Sequence, residues 1–318
     1  MDYTHLGKSG LKVSRIGLGT NNFGGQVSEE DSIKIVRKAL DLGINLIDTA
    51  DIYTKGKSEA IIGKAVQGYR DQVVIATKVG MNVGTGPNDS GLSRKHIMRR
   101  VRNSLESLGT DYIDIYYLHR FDPETPLEET LTTLNDLVRQ GAVRYIACSN
   151  FEAWQIAEAN KVCRVHDLEN LVAVQPPYNL LQRSIEQNLL PYCQREKLGV
   201  LTYTPLMGGL LTGKYINDKS PRTGTRASYN TNYWNSVNRT EYFKYLEEIQ
   251  KVAQKMNVSM SQLAVAWILK NPIVTAPLIG ASSMEQVEEN CRILEVKITD
   301  ETYVKLNELT KTCEAKLY

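Results

Sequence analysis

The sequence predicts a single (β/α)8 barrel, in which eight parallel strands alternate with helices across one domain of residues 1–318. Two observations support this fold class. Apolar runs of strand length alternate with longer amphipathic segments almost from end to end, which is the pattern of parallel βα units. No linker or shift in composition divides the chain, as two subdomains would require. A doubly wound sheet is the alternative, because the chain is long enough for either fold.

The strand candidates number eight, which is the count of a closed (β/α)8 barrel. They are residues 15–18, 45–48, 73–77, 113–118, 143–148, 171–174, 200–203 and 274–279. Helices are predicted where apolar residues recur at intervals of three and four. These segments include residues 29–42, 94–108, 127–140 and 241–256, and after the last strand residues 283–294 and 300–310.

Two segments fall outside an ideal barrel. Residues 3–13 carry turn residues around Lys8-Ser9-Gly10 and predict a hairpin that closes the barrel floor. Residues 214–240, rich in Gly, Pro, Ser, Asn and Arg, are too long for an ordinary βα connection. We expect a functional loop or lid there.

Composition argues against several classes of function. The 38 Lys and Arg nearly balance the 36 Asp and Glu, so the chain lacks the positive field that nucleic-acid binding needs. The five cysteines include no CxxC pair, which disfavours a disulfide framework or a zinc site. The chain has neither a secretory signal nor an apolar run long enough to span a bilayer. We therefore expect reduced thiols, no membrane partner and a cytoplasmic location.

The densest basic stretch is predicted to lie on a helix. Its helical spacing indicates a solvated face, which is the ordinary explanation of a run of charges. The residues are Arg94, Lys95, Arg99, Arg100 and Arg102.

Several familiar motifs begin in this chain and then break. The segment that starts at Gly17 resembles GxGxxG but has Asn22 where the third glycine belongs, which disfavours a dinucleotide-binding fingerprint of that type. Gly56-Lys57-Ser58 copies the end of a P-loop, yet Asp51 replaces its first glycine. The four histidines lack the spacing of paired metal ligands and no GxSxG occurs, so we predict neither a metal site nor a hydrolase triad.

Polar residues do occur where the predicted strands end, which is where barrel enzymes place their chemistry. Asp48 ends the second strand and Tyr53 follows five residues later, Lys78 follows the third strand, and His119 follows the fourth.

A phenol with a reference pKa of about 10 becomes a useful acid at neutral pH when a cation stabilises its phenolate. Lys78 could supply that cation while Asp48 fixes its position, and His119 could orient a substrate oxygen. Taken singly, each residue also has an ordinary structural explanation, such as an ion pair or a loop aromatic. Their coincidence at three successive strand ends favours the catalytic interpretation.

At these residues the sequence resembles the aldo-keto reductases. Residues 48–53 and 56–59, then Thr77-Lys78, then residues 108–114 match the hallmark segments of that family in order and spacing. Residues 6–10 and 280–290 match as well, so the resemblance covers nearly the whole chain. It implies a (β/α)8 barrel that uses NADPH. It also implies Tyr53 as proton donor, with Asp48 and Lys78 as the partners that lower its pKa. His119 is implied as the residue that orients the carbonyl, so Tyr53 and His119 are the expected substrate contacts.

The resemblance also implies a set of cofactor contacts. Around the nicotinamide and its ribose they are Gly19, Thr20, Asp48, Ser149, Asn150, Gln175 and Tyr203. Along the phosphates they are Thr204, Pro205, Leu206, Gly208, Lys214 and Arg226, and around the adenosine Gly280, Ser282, Gln286, Glu289 and Asn290. Two cations beside a pyrophosphate are physically reasonable.

The chain departs from the family pattern at the adenosine end of the expected cofactor site. Many relatives carry Lys or Arg near the positions of Ser282 and Gln286, where a cation would select for the 2′-phosphate. NADPH preference is therefore expected to be weaker, and use of NADH is possible. Arg292 could compensate, although a helix-surface position is its ordinary explanation.

The implied function is reduction of an aldehyde or ketone, or the reverse oxidation of an alcohol. The competing class is a cofactor-binding regulatory protein, because potassium-channel β subunits resemble the same branch and use bound nicotinamide cofactor as a redox-sensing element. Those subunits lack a histidine at the position of His119, which this chain has. A barrel lyase or isomerase would leave the cofactor matches unexplained.

The aromatic residues Phe23, Tyr229, Tyr233 and Trp234, with Asn21, could line the substrate mouth or simply pack locally.

Overall fold

A computed structural model describes residues 1–216, 228, 231–237, 240–313 and 315. An antiparallel hairpin, β1 (Tyr3–His5) and β2 (Lys12–Ser14), precedes the barrel, as predicted. The barrel strands are β3 (Gly17–Gly19), β4 (Leu46–Asp48), β5 (Val74–Val79), β6 (Ile113–Leu118), β7 (Val143–Ser149), β8 (Ala173–Gln175), β9 (Gly199–Thr202) and β10 (Ala276–Gly280). They close in the order β10-β3-β4-β5-β6-β7-β8-β9, every pair parallel. The predicted (β/α)8 barrel is confirmed, and the doubly wound alternative is wrong.

Helices surround the strands, and several of them begin at a serine that caps the first turn. They are α1 (Glu29–Asp41), α2 (Lys57–Ala65), α3 (Arg94–Leu108), α4 (Leu127–Arg139), α5 (Ala153–Val165), α6 (Leu189–Glu196), α7 (Thr231–Val237), α8 (Thr240–Lys255), α9 (Met260–Lys270), α10 (Met284–Arg292) and α11 (Asp300–Thr310). The hydroxyl of Ser93, for example, accepts a hydrogen bond from the His96 N–H at the start of α3, which satisfies an amide that the helix itself leaves unpaired. Of the predicted loop 214–240, positions 217–227, 229–230 and 238–239 lie outside the described residues.

The alternation of side chains along each strand places the site. Successive residues of a strand face opposite sides, so every second residue points into the barrel. Leu46, Val74, Ala76, Ile115 and Tyr117 belong to the apolar cluster that fills the barrel interior. The next inward positions, two residues on, are Asp48, Lys78 and His119. The chain therefore changes from apolar to polar side chains at one level of the barrel.

The hairpin closes the opposite end of the barrel. Leu6 and Val13 are fully buried in the interior cluster, and Gly7 lies against the backbone of Gly199 with a φ of 59°. The Arg15 guanidinium donates to the carbonyl groups of Leu269, Val274 and Thr275. Within the described residues, no helix is both long and apolar enough to cross a membrane.

Candidate active site

Asp48 and Lys78 form an ion pair inside the barrel, with side chains 5% and 1% exposed. Lys78 Nζ donates to Asp48 Oδ1 at 2.6 Å and to the Thr49 carbonyl oxygen at 2.7 Å. The second carboxylate oxygen, Oδ2, accepts a hydrogen bond from Gln175 Nε2 at 2.7 Å. Both oxygens of the carboxylate are therefore satisfied, as a buried charge requires.

Burial and pairing act against each other on these two groups. Burial raises the pKa of Asp48, against the opposing effects of Lys78 and Gln175. Burial alone would lower the pKa of Lys78, but the negative charges of Asp48 and of an ionised Tyr53 outweigh it, so the Lys78 pKa is raised. Lys78 therefore holds its proton at neutral pH and presents a positive charge to its neighbours.

Tyr53 lies beside this ammonium group. Lys78 Nζ donates to the Tyr53 hydroxyl at 3.4 Å, and it lies 5.0 Å from the centre of the tyrosine ring. Tyr53 begins a tight 3-10 turn that ends at Gly56. Thr54 and Lys55 have φ values of 47° and 58°, the left-handed region that non-glycine residues seldom adopt. The turn that presents Tyr53 is therefore strained.

Buried hydroxyl groups hold the loop around Tyr53. Ser58 Oγ shares hydrogen bonds with Thr20 Oγ1 and Thr49 Oγ1, both at 2.9 Å. The Thr20 hydroxyl also donates to the Asp48 carbonyl oxygen at 2.8 Å, and Thr54 Oγ1 donates to the Phe23 carbonyl oxygen at 2.7 Å. These bonds tie the loop to β3 and β4.

His119 follows β6 and faces Tyr53 across the barrel mouth. The two ring centres are 6.2 Å apart with an interplanar angle of 78°. Burial, the Lys78 ammonium and Arg120 together lower the pKa of His119 to about 3, so the imidazole is neutral at pH 7. Its buried Nδ1 has no hydrogen-bond partner in the described part of the chain. Tyr53 and His119 thus border one space with a phenol and a neutral imidazole.

The expected nicotinamide contacts lie at the next strand ends. Ser149 Oγ donates to the Gln175 carbonyl oxygen at 2.8 Å. Asn150 has a φ of 57°, and its Nδ2 donates to the His119 carbonyl oxygen at 2.9 Å. The Tyr203 hydroxyl donates to Asn150 Oδ1 at 2.7 Å. One hydrogen-bonded chain therefore links Tyr203 to the backbone of His119.

The expected phosphate contacts follow β9 in an irregular segment. Thr204, Met207, Gly208 and Gly209 all have positive φ values, from 48° to 105°, an arrangement that can turn backbone N–H groups towards an anion. A Cβ on Gly208 would lie 2.7 Å from the ring of Tyr233, so this position requires glycine. Pro205 is buried and Leu206 half-buried within the same segment.

Of the two cations expected beside this segment, the structure describes Lys214 but not Arg226. Lys214 Nζ lies over the ring of Tyr215, at 5.2 Å from its centre, and approaches Gly209. Arg226 lies outside the described residues, as does Tyr229. The role of Arg226 therefore stays a prediction.

The expected adenosine contacts surround the start of α10. Gly280 pairs with Gly19 where β10 meets β3. The N–H and the hydroxyl of Ser282 both donate to Gln286 Oε1, at 2.8 and 3.1 Å. Glu289 and Asn290 follow on the same helix, exposed and half-buried respectively. Arg292 lies further along and lines a surface depression with Met1, Asp2 and Leu42.

Residues 15–311 match the sequence model described as the aldo/keto reductase family. The chain belongs to this family. It is 38% identical to a probable voltage-gated potassium channel subunit beta of Oryza sativa subsp. japonica, over 93% of this chain and 92% of the relative. It is 38% identical to the aldo-keto reductase YhdN of Bacillus subtilis (91% and 87% covered) and 33% identical to the versiconal hemiacetal acetate reductase of Aspergillus parasiticus (97% and 96%). This aldo/keto reductase family member thus has oxidoreductases among its relatives.

Sequence reasoning missed the polar groups behind the site of this aldo/keto reductase family member. Arg100 is not on a solvated face: its side chain is 14% exposed and Nε donates to Asp51 Oδ2 at 2.7 Å. Glu59 is buried too and accepts a hydrogen bond from Thr77 Oγ1 at 2.6 Å. Asp51 and Glu59 lie in the segments that match the family's hallmarks, and that match was the sequence signal that could have identified them. Counting charges could not reveal that Arg100 is buried, because its burial depends on how α3 packs.

Of the four aromatic residues that could line the mouth, Phe23, Tyr233 and Trp234 have packing contacts in the described part of the chain. Phe23 is fully buried in the core. Tyr233, on α7, is also buried, and its hydroxyl donates to the Met207 carbonyl oxygen at 3.2 Å. Trp234 meets the ring of Tyr215 edge-on. These contacts hold α7 against the segment that follows β9.

Proposed function

We propose that this chain is an NADPH-dependent oxidoreductase that reduces aldehyde or ketone carbonyls to alcohols, or catalyses the reverse reaction. The observation that carries the proposal is the Lys78 ammonium, which donates to both Asp48 and Tyr53 at the polar end of the barrel. A neutral His119 faces the same phenol. This arrangement suits proton transfer to an oxygen that gains negative charge.

The chain's own residues suit a bound dinucleotide. Within the described residues, the buried Nδ1 of His119 has no hydrogen-bond partner. The left-handed segment around Gly208 could cradle a pyrophosphate. Asn150, Ser149 and Gln175 would hold the carboxamide end, with Gly19, Thr20 and Tyr203 beside the nicotinamide ribose and ring. Lys214 and Arg226 would neutralise the phosphates. When bound, the cofactor supplies the hydride that the protein itself cannot.

Each residue of the site then has one role. Tyr53 donates its proton to the substrate oxygen as the carbonyl carbon is reduced. Lys78 stabilises the phenolate that remains, and Asp48 holds the ammonium in place. His119, neutral because its pKa is about 3, donates a hydrogen bond to the same oxygen and orients it without competing as an acid.

We propose that the adenosine end accepts NADPH with a tolerance for NADH. Gln286 engages both polar groups of Ser282, and neither side chain carries a positive charge for a 2′-phosphate. Arg292 is six residues beyond Gln286, so at about 100° per residue it points to a different side of α10. The start of α10 still offers backbone N–H groups to an anion. We infer a modest preference for NADPH. We also propose a cytoplasmic location, since the spacing of the five cysteines matches no disulfide framework.

The test is oxidation of NADPH and NADH across a panel of aldehydes and ketones. We expect Tyr53→Phe to lower kcat about 10²- to 10⁴-fold, because the general acid is removed. Cofactor affinity, measured by fluorescence titration, should stay unchanged. Tyr3→Phe is the matched control, since it removes a phenol that contacts the Gly43 carbonyl oxygen at the barrel floor. Equal turnover by the native chain and Tyr53→Phe would rule out the proposed acid.

The alternative is a cofactor-binding regulatory subunit. The 38% identity to a probable potassium-channel subunit favours it, and the four-residue constellation with His119 favours the enzyme. Tight cofactor binding without reduction of any carbonyl in the panel would support the regulatory role. Absence of binding by either cofactor would remove the basis of both.

A further inference from the structure

A buried ion pair lies behind the active site, between the barrel wall and α3. Arg100 Nε donates to Asp51 Oδ2 at 2.7 Å, and Arg100 Nη2 donates to the Asp51 backbone carbonyl oxygen at 3.3 Å. Asp51 is 2% exposed. One guanidinium thus holds both the side chain and the backbone of a single loop residue.

Asp51 is placed to control Tyr53. Its N–H donates to the Lys78 carbonyl oxygen at 3.4 Å, and the Tyr53 N–H donates to the Ala50 carbonyl oxygen at 3.1 Å. Only Ile52 separates Asp51 from Tyr53. The loop is therefore held to β5 on one side and to α3 on the other, immediately before the phenol.

The turn that follows needs such support. Thr54 and Lys55 both adopt left-handed backbone conformations, which side chains of L-residues disfavour and which persist only when surrounding contacts hold them. The Thr54 hydroxyl, bonded to the Phe23 carbonyl oxygen, supplies one contact after Tyr53. The Arg100 contact lies before it.

The charges explain why Arg100 matters. Burial raises the pKa of Asp51, while the hydrogen bond and charge of Arg100 oppose that rise. The same guanidinium also acts on Glu59, a second buried carboxyl group. Without Arg100, Asp51 would be a buried carboxyl group that has lost its ion-pair partner, and only the smaller effects of more distant charges such as Lys78 would remain. Such a group moves towards water or takes up a proton. Either change loosens the loop.

We propose that Arg100 is a positioning residue for Tyr53, acting through Asp51 to hold the phenol at its distance from Lys78. The inference rests on the proposed role of Tyr53 as proton donor. A misplacement of about 1 Å at a reacting group can cost about 10²-fold in rate, so the effect should appear in kcat rather than in cofactor binding.

The test compares Arg100→Met with Arg70→Met. Arg70 is a matched control because it also pairs with an aspartate, Asp114, at 2.7 Å and donates to a backbone carbonyl oxygen, that of Tyr112. Its pair lies at the starts of β5 and β6, the end of the barrel away from Tyr53. We expect Arg100→Met to lower kcat about 10- to 100-fold with cofactor Kd within about twofold, and Arg70→Met to leave kcat within about twofold.

Two more variants address charge and folding. Arg100→Lys keeps the charge but loses the two-pronged geometry, so its kcat should fall between those of the native chain and Arg100→Met. Asp51→Asn added to Arg100→Met removes the unpaired carboxyl group and should recover part of the lost kcat. A kcat for Arg100→Met within twofold of the native value, or an equal loss in Arg70→Met, would overturn the proposal.

Amide hydrogen exchange tests the same idea without any substrate. Residues 49–56 should exchange faster in Arg100→Met than in the native chain, and at the native rate in Arg70→Met. If the native chain reduces no carbonyl, the proposed function fails, and exchange alone decides whether Arg100 holds the loop. Unchanged exchange at residues 49–56 in Arg100→Met would overturn the bracing role.

Discussion

Breaking the Asp48–Lys78 pair from either side should give opposite dependences of stability on pH. Asp48→Asn leaves the Lys78 ammonium without a counter-charge in a site where both side chains are 5% exposed or less. Lys78→Met leaves the Asp48 carboxyl group without a cation. Removing one member of a buried pair typically lowers the free energy of unfolding by about 3–5 kcal/mol. Both single variants should therefore be destabilised at pH 7.

The sign of each slope follows from which group is left. In Asp48→Asn, burial, the largest influence on Lys78, depresses its folded pKa, so the unfolded chain binds the additional proton and stability rises with pH. In Lys78→Met, burial, the largest influence on Asp48, keeps its folded pKa above the unfolded value. The folded chain then binds the additional proton and stability falls as pH rises. Each slope can reach about 1.4 kcal/mol per pH unit.

The assay is urea unfolding at pH 5.5, 7 and 8.5 for the native chain, both single variants and the double variant. The double variant carries no unpaired charge, so at pH 7 its unfolding free energy should exceed that of either single variant. Glu30→Gln, which removes the partner of Lys34 in an exposed helix pair, is the control and should leave the pH slope unchanged. Parallel slopes in the two single variants, or a double variant no more stable than either, would refute the reasoning.

Two further predictions concern the surroundings of the site. Burial raises the pKa of Glu59 to about 7, so the stability that this group contributes is full below about pH 4 and is lost as pH rises towards 7. Urea unfolding should show the native chain losing about 3 kcal/mol of unfolding free energy, relative to Glu59→Gln, over that interval. At the barrel floor, the Cβ of Gly7→Ala would lie 2.5 Å from the Gly199 backbone nitrogen at a φ of 59°, so unfolding free energy should fall by about 3 kcal/mol or more.

Each of these has an outcome that contradicts it. Equal pH profiles for the native chain and Glu59→Gln would mean that Glu59 titrates as a solvated carboxyl group. Gly10→Ala, in the same hairpin but with open space around its Cβ, should leave stability unchanged. An equal loss in Gly10→Ala and Gly7→Ala would show that glycine flexibility, not the close approach to Gly199, sets the cost.

The barrel was predictable because its signals are local. Strand-length apolar runs and helical periodicity depend on neighbours within one element, and the eight strand positions follow from them. Some strand ends differ from the prediction: the first barrel strand begins at Gly17 rather than Arg15. The Arg15 N–H donates to the Asp2 carbonyl oxygen at 2.9 Å, so its backbone pairs beside the hairpin and not with a barrel strand. Element ends depend on such distant contacts, which periodicity does not contain.

The candidate site also combines features that the local sequence sets with features that only tertiary contacts set. By itself, the sequence determined that Asp48, Lys78 and His119 follow inward-facing apolar residues, because alternation along a strand is a property of the backbone. Only the tertiary structure decided that Gln175 shares the Asp48 carboxylate and that Arg100 turns inward onto Asp51. In sequence Arg100 resembled its exposed neighbours, and a charged residue finds a buried partner only once two elements distant in the chain have packed together.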